Sequence, residues 1–247
     1  MSWCEISTRA SLFRHAATTA AAAAATTTKQ SVPKKLRVLC IHGYGQHSQG
    51  FRQKSGALRR AGKKYVAEWD FVEAKLDAPI REELNELDSG GKAWWLWNRS
   101  TENPINTGWE ESIDQLVQRL EENGPYDGCI GFSQGASMLS LLISEQQSRG
   151  TQWFRFACFI GGFVPRMPAM RQRVLSLEHD TNMCTWHSYG LADEIIPASQ
   201  SIELILVFGD KAVVCPPHQG GHLVSSTKEV RTDFKHFIAS VYEDGKR

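Results

Sequence analysis

The feature that most constrains this chain is the pentapeptide Gly131-Phe132-Ser133-Gln134-Gly135, a G-x-S-x-G pattern between a predicted strand and a predicted helix. A serine on such a turn is forced into a strained backbone conformation that lifts its Oγ clear of the sheet. The helix that follows points its positive N-terminus at this serine, which favours a developing anion. The pattern predicts that Ser133 is a nucleophile, and a purely structural turn is the alternative.

Predicted strands and helices alternate along the chain around this turn. Short apolar runs that end at turn residues predict strands at residues 36–41, 69–74, 127–132, 154–160, 183–189 and 212–215. Helical spacing of apolar residues predicts helices at residues 51–64, 109–123, 134–147, 199–208 and 227–242. This alternation is typical of an α/β protein with a mostly parallel central sheet and helices on both faces. The predicted fold is therefore an α/β-hydrolase fold.

A serine nucleophile needs a base, and in this fold the chain order is Ser, then Asp or Glu, then His. His222 follows two glycines in the loop before the last predicted helix, where it can reach a serine at the carboxyl edge of the sheet. It is the predicted base. His218, which follows two prolines, is the alternative and is expected to be exposed or to lie behind the site.

The group that orients the base is expected just after the predicted strand 183–189. Asp193 lies there between a glycine and a proline, and we predict that it holds the His222 ring. A simple turn or helix-capping role for this aspartate is the alternative. Asp210 is a weaker candidate, because it follows the predicted helix 199–208 instead of the predicted strand 183–189. Glu194 is expected to point away from Asp193.

An acyl-transfer site also needs N–H donors for the oxyanion of the tetrahedral intermediate. The backbone N–H of Gln134, next to the nucleophile, is one candidate. The backbone N–H of Tyr44, in the turn after the first predicted strand, is the other. His42, at the start of that turn, is interpreted as a packing residue rather than as a base.

Residues 81–107 are the least regular part of the sequence, and long loops of this kind are often functional or mobile. They contain an aromatic cluster that includes Trp94 and Trp95. Packing of this loop over the sheet is the simpler interpretation. The functional one is that Trp94 and Trp95 bind substrate as one wall of an apolar acyl pocket.

Composition excludes several other classes of protein. The chain has 247 residues and a formal net charge of +1, so no overall basic field attracts nucleic acid. Its six cysteines form no C-x-x-C pair, which argues against a metal site and favours reduced thiols inside a cell. No G-x-G-x-x-G follows a predicted strand, so no dinucleotide cofactor is expected. No run is long and apolar enough to cross a bilayer.

The first 33 residues are rich in Ala, Ser and Thr, and we exclude them from the fold. Residues 1–33 are predicted to be a disordered extension, and residues 34–247 a single α/β-hydrolase domain. Two arginines against one acid within residues 1–30 also resemble a transit peptide. We expect a cytoplasmic location, with a mitochondrion or plastid as the alternative.

At the residues discussed above, the chain resembles the FSH-type serine hydrolases, the family that includes the ovarian-cancer-associated serine hydrolase and fungal relatives. The resemblance runs from about Lys35 to the last helix. The segments that match the family motifs are residues 36–45, 51–58, 93–95, 108–112, 131–136, 190–197 and 220–222. It implies a small esterase or thioesterase without a cofactor and with the triad Ser133, Asp193 and His222. Residues 96–98 depart from the family pattern, which affects acyl-chain preference rather than chemistry.

The sequence therefore predicts a serine hydrolase that cleaves carboxylic esters of medium or long acyl chains through an acyl-enzyme. Its partner is a small acyl ester or thioester, with no cofactor and no metal, and its oligomeric state is left open. The alternatives are an acyl-thioesterase with the same triad, acyl transfer to another acceptor, and a non-catalytic scaffold of the same fold.

Overall fold

The computed structural model describes residues 34–79, 91–97, 106–177 and 183–245. The predicted extension 1–33 lies outside these residues. In the described part of the chain the strands are β1 (Leu36–Ile41), β2 (Val66–Val72), β3 (Leu76–Asp77), β4 (Lys92–Ala93), β5 (Leu96–Trp97), β6 (Asn106–Thr107), β7 (Gly128–Phe132), β8 (Phe156–Ile160), β9 (Cys184–Ser188) and β10 (Ala212–Val214). The helices there are α1 (Ser48–Lys54), α2 (Gly56–Gly62), α3 (Trp109–Asn123), α4 (Gln134–Ser148), α5 (Pro168–Leu175), α6 (Ala198–Phe208) and α7 (Lys228–Asp244).

Six of the strands form one sheet in the order β10-β9-β8-β7-β1-β2. Every neighbouring pair in this sheet is parallel. The sequence prediction of a mostly parallel central sheet is therefore confirmed. The two-residue strands form separate antiparallel pairs, β3 with β4 and β5 with β6.

Each face of the sheet carries its own apolar core. Leu39 and Ile41 of β1 join the core formed with α3, α4, α5 and α6, whereas Val38 and Cys40 join the core formed with α1, α2 and α7. Successive side chains of a strand point to opposite faces, so a strand covered on both sides must be apolar throughout. This is why the strands are continuous apolar runs, and it confirms helices on both faces.

The sheet order also decides where loops meet. The chain passes from β1 to β2 on one side and then returns to place β7 on the other side of β1. Ligands of open parallel sheets bind outside the carboxyl ends of the strands where the strand order reverses. Tyr44 follows β1 and Ser133 follows β7, so both lie at this point. Asp193 and His222 follow β9 and β10 at the same edge.

Two predicted elements differ from the structure near the first strand. The single helix predicted at residues 51–64 is two helices, α1 and α2, that meet at Ser55. The Ser55 hydroxyl donates to the Phe51 carbonyl oxygen at 2.7 Å, a local bond that competes with regular helix geometry. The strand predicted at residues 69–74 is β2, which begins and ends earlier, at Val66–Val72.

Other differences lie in the connections. Helix α5 was not predicted, because its few apolar residues give a weak helical pattern, although Pro168 occupies a favoured first position. The predicted irregular stretch 81–107 is described at residues 91–97 and 106–107, where it forms the short strands β4, β5 and β6. Its remaining residues lie outside the described part of the chain. None of the helices in the described part is long and apolar enough to span a membrane.

Candidate active site

Ser133 occupies the turn between β7 and α4 with φ 54° and ψ −119°. Among the residues that the structure describes, it is the only non-glycine residue with a positive φ. A side chain in this backbone region costs about 1–3 kcal/mol, and such strain is concentrated at functional sites. The Ser133 N–H donates to the Ile160 carbonyl oxygen at 2.9 Å, which ties the turn to the end of β8.

The two glycines of the pentapeptide are required by close backbone contacts. A Cβ at Gly135 would lie 2.4 Å from the carbonyl oxygens of Ile41 and His42. A Cβ at Gly131 would lie 2.5 Å from the Gly135 carbonyl oxygen. These neighbours are backbone atoms that cannot rotate away. The missing side chain at Gly135 lets α4 pack against the end of β1, and the missing side chain at Gly131 lets β7 pack against the start of α4.

His222 lies between the serine and the aspartate that the sequence singled out. Its Nε2 is 2.8 Å from Ser133 Oγ, and its Nδ1 is 2.7 Å from Asp193 Oδ2. The ring packs against Phe132, with 4.9 Å between ring centroids. Gly161 also lies next to the ring, where an added Cβ would be 3.2 Å from His222 Cε1. The three predicted side chains therefore form one hydrogen-bonded chain.

Asp193 is fixed by its own backbone surroundings. Its Oδ1 accepts hydrogen bonds from the N–H groups of Ile195 and Ile196, at 3.0 and 2.8 Å. The side chain is 2% exposed, so water does not compete for the carboxylate. An ionised carboxylate only accepts hydrogen bonds, so Nδ1 of His222 carries the proton and Nε2 is left to accept from the serine hydroxyl.

The two predicted oxyanion donors lie on adjoining turns. Gln134 is the first residue of α4, and the first N–H groups of a helix have no partner within the helix. Tyr44 lies in the turn after β1, next to Gly43, where an added Cβ would be 3.2 Å from Ser133 Cβ. The two turns thus lie side by side at the serine. The roles of Tyr44 and Gln134 as oxyanion donors stay a prediction.

Trp94 and Trp95 lie in the apolar core instead of at an open surface. Trp94 is fully buried, and Trp95 is 5% exposed. Both belong to the core formed with α3 to α6. Their burial supports the packing interpretation of this cluster. Contact with substrate by Trp94 and Trp95 stays a prediction, and the flanking residues 98–105 lie outside the described part of the chain.

The other histidines considered above have structural surroundings. His42 donates through Nδ1 to the Gly43 carbonyl oxygen at 2.8 Å and accepts the Ala74 N–H through Nε2 at 3.1 Å, and burial lowers its pKa. It shapes the turn, as expected. His218 is buried rather than exposed, and its Nδ1 accepts the Gly220 N–H at 3.2 Å. It therefore supports the loop that carries His222.

The alternative carboxylates do not reach the base. Glu194 and Asp210 are both exposed, and Asp210 lies in a short 3-10 turn after α6. Two surface clefts in the described part of the chain also lie away from the serine. One is lined by residues of β2 and α3, and the other by Pro216 and the first half of α7.

Sequence reasoning missed two groups at this site. The Gln134 side chain, and not only its backbone, takes part, because it binds the main chain of Trp94 and Trp95. No sequence pattern indicates this contact, since it joins residues about 40 positions apart. Gly161 is a second such group, because its φ of 53° and its position next to His222 explain why it lacks a side chain.

Comparisons with known proteins agree with this architecture. A sequence model of the family described as serine hydrolase (FSH1) matches residues 30–234. The chain is 36% identical over 215 residues to Esterase C25G4.2 of Caenorhabditis elegans, an alignment that covers 83% of this chain and 93% of that protein. It is 32% identical over 230 residues to Esterase OVCA2 of Danio rerio, an alignment that covers 82% of this chain and 96% of that protein.

A solved structure shows the same fold at low sequence identity. The structure of Zea mays acyl-protein thioesterase 2 superposes with a TM-score of 0.62 and 14% identity, covering 85% of this chain and 95% of that one. The predicted resemblance to FSH-type hydrolases is confirmed by the family match and by the two esterases. This chain belongs to the FSH1 serine hydrolase family and is a hydrolytic enzyme of the α/β-hydrolase fold.

Proposed function

We propose that this enzyme hydrolyses carboxylic esters, with Ser133 as nucleophile, His222 as proton carrier and Asp193 as the group that orients the histidine. The observation that carries the proposal is the hydrogen-bonded chain from Ser133 Oγ through both ring nitrogens of His222 to Asp193, with steps of 2.8 and 2.7 Å. Activation of a serine by a hydrogen-bonded base that a third group orients is the requirement for nucleophilic catalysis.

The reaction proceeds in two halves. Ser133 Oγ attacks the acyl carbon while Nε2 of His222 takes its proton, and the carbonyl oxygen becomes an oxyanion near the N–H groups of Tyr44 and Gln134. His222 then gives the proton to the leaving alkoxide, which departs as an alcohol. The acyl group remains bonded to Ser133. Water, deprotonated by His222, attacks this acyl-enzyme and releases the acid, and the proton returns to Ser133.

Burial makes this arrangement effective. The Asp193 side chain is 2% exposed and the His222 side chain 10%, so the charge that forms on the imidazole faces a carboxylate rather than water. An interaction between opposite charges is stronger in a medium of low dielectric than in water. Asp193 thereby stabilises the imidazolium in the transition state without being protonated itself.

Apolar acyl chains of medium or long length are the proposed substrates. Leu191 and Ile195 lie on either side of Asp193, and Leu223 follows His222; these three side chains are 54%, 65% and 46% exposed. Exposed aliphatic side chains next to a site favour an apolar ligand, because contact removes their surface from water. These exposed aliphatic residues, close to Asp193 and His222 in the chain, favour a substrate with a hydrocarbon chain.

A thioester is the second candidate substrate. The same nucleophile, base and oxyanion donors serve an ester or a thioester, because both are attacked at the acyl carbon. The structurally similar maize protein is an acyl-protein thioesterase by its title, and the two similar sequences are named esterases. We favour the oxygen ester because the named esterases share more sequence with this chain.

Labelling with a fluorophosphonate tests the nucleophile. We expect wild-type enzyme to be labelled and Ser133→Ala not to be, with turnover of ester substrates lowered by as much as about a millionfold. Ser140→Ala is the matched control, because Ser140 is buried about two turns further along α4 and should not affect labelling. Equal labelling of Ser133→Ala and wild type would rule out the assignment. Rates on esters and thioesters of increasing acyl length then separate the two substrate classes.

The division of the chain and its location are also proposals. We propose that residues 34–247 are the catalytic domain and that residues 1–33 are an extension not needed for catalysis, in a cytoplasmic enzyme. Deletion of residues 1–30 should leave kcat unchanged. The fluorescently tagged full chain and the deletion should both lie in the cytoplasm. An organelle location that is lost on deletion would favour the transit peptide.

A further inference from the structure

The buried indole of Trp94 contacts the end of β1. Its Nε1 donates a hydrogen bond to the carbonyl oxygen of His42 at 2.8 Å. The His42 ring also lies against the indole, with 5.1 Å between the ring centroids. His42 is the residue after β1 and immediately precedes the turn that carries Tyr44. The position of the Tyr44 turn therefore depends on this indole.

The main chain around Trp94 is bound just as directly to the other turn. Gln134 Oε1 accepts the N–H of Trp94 at 2.9 Å, and Gln134 Nε2 donates to the carbonyl oxygen of Trp95 at 2.8 Å. Both polar atoms of the carboxamide are thus used. Ser112 lies in α3, and its hydroxyl donates to the Trp94 carbonyl oxygen at 2.6 Å. This bond holds the main chain at Trp94 against α3 as well.

The preceding residues pair with the turn after β1. The Gly45 N–H donates to the Lys92 carbonyl oxygen at 2.9 Å, and the Lys92 N–H donates to the Gln46 carbonyl oxygen at 2.9 Å. A Cβ at Gly91 would lie 2.1 Å from the Gly45 carbonyl oxygen, so the two backbones are in direct contact. Residues 91–95, here called the tryptophan segment, therefore bind both turns next to Ser133.

Burial makes these bonds costly to break. Trp94 is fully buried and Gln134 is 5% exposed, so neither finds water as a replacement partner. A buried polar group left without its partner costs about 1–3 kcal/mol. Two donors act on one oxyanion only if both lie about 2.7–3.1 Å from it, so their separation must be held closely.

We propose that the tryptophan segment sets the distance between the two halves of the oxyanion hole, with Trp94 and the Gln134 side chain as positioning residues. The proposal rests on the proposed function, because it assumes the backbone N–H donors of Tyr44 and Gln134. Trp94 acts through the His42 carbonyl on the first turn, and Gln134 joins the second turn to the same segment. This positioning role requires no contact between either side chain and the substrate.

An alkyl trifluoromethyl ketone tests this arrangement, because it adds to a serine nucleophile and places an oxyanion where the tetrahedral intermediate has one. Trp94→Phe keeps a six-membered aromatic ring but removes the N–H donor together with the five-membered ring of the indole, so the loss of packing at this buried position needs its own control. We expect the Ki of Trp94→Phe for the ketone and its kcat/KM for a matching ester to worsen in parallel, by about 10- to 100-fold. KM and the pH dependence of kcat should change little, since Asp193 and His222 are untouched.

Two further variants control for loss of packing. Trp186 is also fully buried and donates its indole N–H, to Asp233 at 2.6 Å, on the opposite face of the sheet. Trp186→Phe should lower stability but leave both the Ki for the ketone and the kcat/KM for the ester at their wild-type values. Gln134→Met keeps the length of the side chain without adding a charge, and it removes both the acceptor for the Trp94 N–H and the donor to the Trp95 carbonyl oxygen. It should repeat the Trp94→Phe effect, and it serves if Trp94→Phe does not fold.

The outcomes separate the two proposals. If wild type forms no ketone adduct, the nucleophile assignment fails, and the inference about the tryptophan segment fails with it. If wild type forms the adduct while Trp94→Phe and Gln134→Met bind the ketone as tightly as wild type, only the inference about the segment is overturned. A rise in KM at unchanged kcat would overturn it as well, because that result indicates a substrate-binding wall.

Discussion

Asp193 Oδ2 lies 2.7 Å from His222 Nδ1, while Asp193 Oδ1 is occupied by the N–H groups of Ile195 and Ile196. The two oxygens of one carboxylate thus have different partners. This division fixes the orientation of the carboxylate, and through it the orientation and tautomer of the imidazole.

Asp193→Asn should therefore abolish most activity without unfolding the enzyme. The two backbone N–H groups hold the amide oxygen, so the amide NH₂ faces Nδ1 of His222 and forces the ring proton onto Nε2. Nε2 can then no longer accept from Ser133, and we expect kcat to fall by about 10⁴-fold. Steady-state kinetics measures this loss. Asp210→Asn, at an exposed carboxylate, should keep wild-type kcat, and equal effects of both substitutions would contradict the assignment.

Ser133→Gly should be more stable than Ser133→Ala. Both variants lack the hydroxyl, but only glycine adopts φ 54° without a clash of its Cβ. The strain of about 1–3 kcal/mol is relieved, and the greater freedom of unfolded glycine offsets about 0.5–1 kcal/mol of this gain. Urea unfolding of the two variants should differ by about 1 kcal/mol in favour of glycine. Identical midpoints would mean that the turn is not strained.

Gly135→Ala should be strongly destabilising. The new Cβ would lie 2.4 Å from two backbone oxygens at the end of β1, so β1 and α4 must move apart. We expect a loss of about 3 kcal/mol in the free energy of unfolding, with reduced labelling of Ser133. Gly50→Ala, in α1, is the matched control. Nothing lies within 4 Å of its added Cβ, so stability should rise by about 0.5–1 kcal/mol. Similar stability changes for the two variants would argue against this packing.

Stability should fall in acid because of a histidine outside the site. His187 of β9 is buried against Phe159 and Phe208, and burial lowers its pKa from 6.5 to about 3. The unfolded chain therefore binds a proton that the folded chain does not, and stability is lost as pH falls from about 6.5 toward about 3. Between pH 7 and pH 5, wild type should lose about 2 kcal/mol more than His187→Leu.

Urea unfolding at several pH values measures this slope. His236→Gln, at an exposed ring, is the control and should keep the wild-type slope. A wild-type slope in His187→Leu would show that other groups cause the acid loss. The absolute stability of His187→Leu is not the readout, because the leucine also changes packing against Phe159.

The parts of the site that follow local rules were predictable. The turn at Ser133 needs small neighbours, a strand before it and a helix after it, and all of these can be read within about 20 residues. The order of serine, aspartate and histidine then directed attention to Asp193 and His222. Helix boundaries were less predictable, because the helical pattern of residues 51–64 continues through Ser55, where the backbone leaves helical geometry and α1 meets α2.

The sequence by itself determined the alternation of strands and helices, the turn that carries Ser133 and the family, because each depends on neighbours in the chain. Only the tertiary structure decided which side chains meet. Ser133 and His222 are 89 residues apart, and the indole of Trp94 finds its acceptor at His42, 52 residues away. The tryptophans suggested a pocket wall from sequence because an aromatic side chain looks the same whether it faces a ligand or the core. Its direction is set by how the loops pack over the sheet, and that packing depends on contacts between distant parts of the chain.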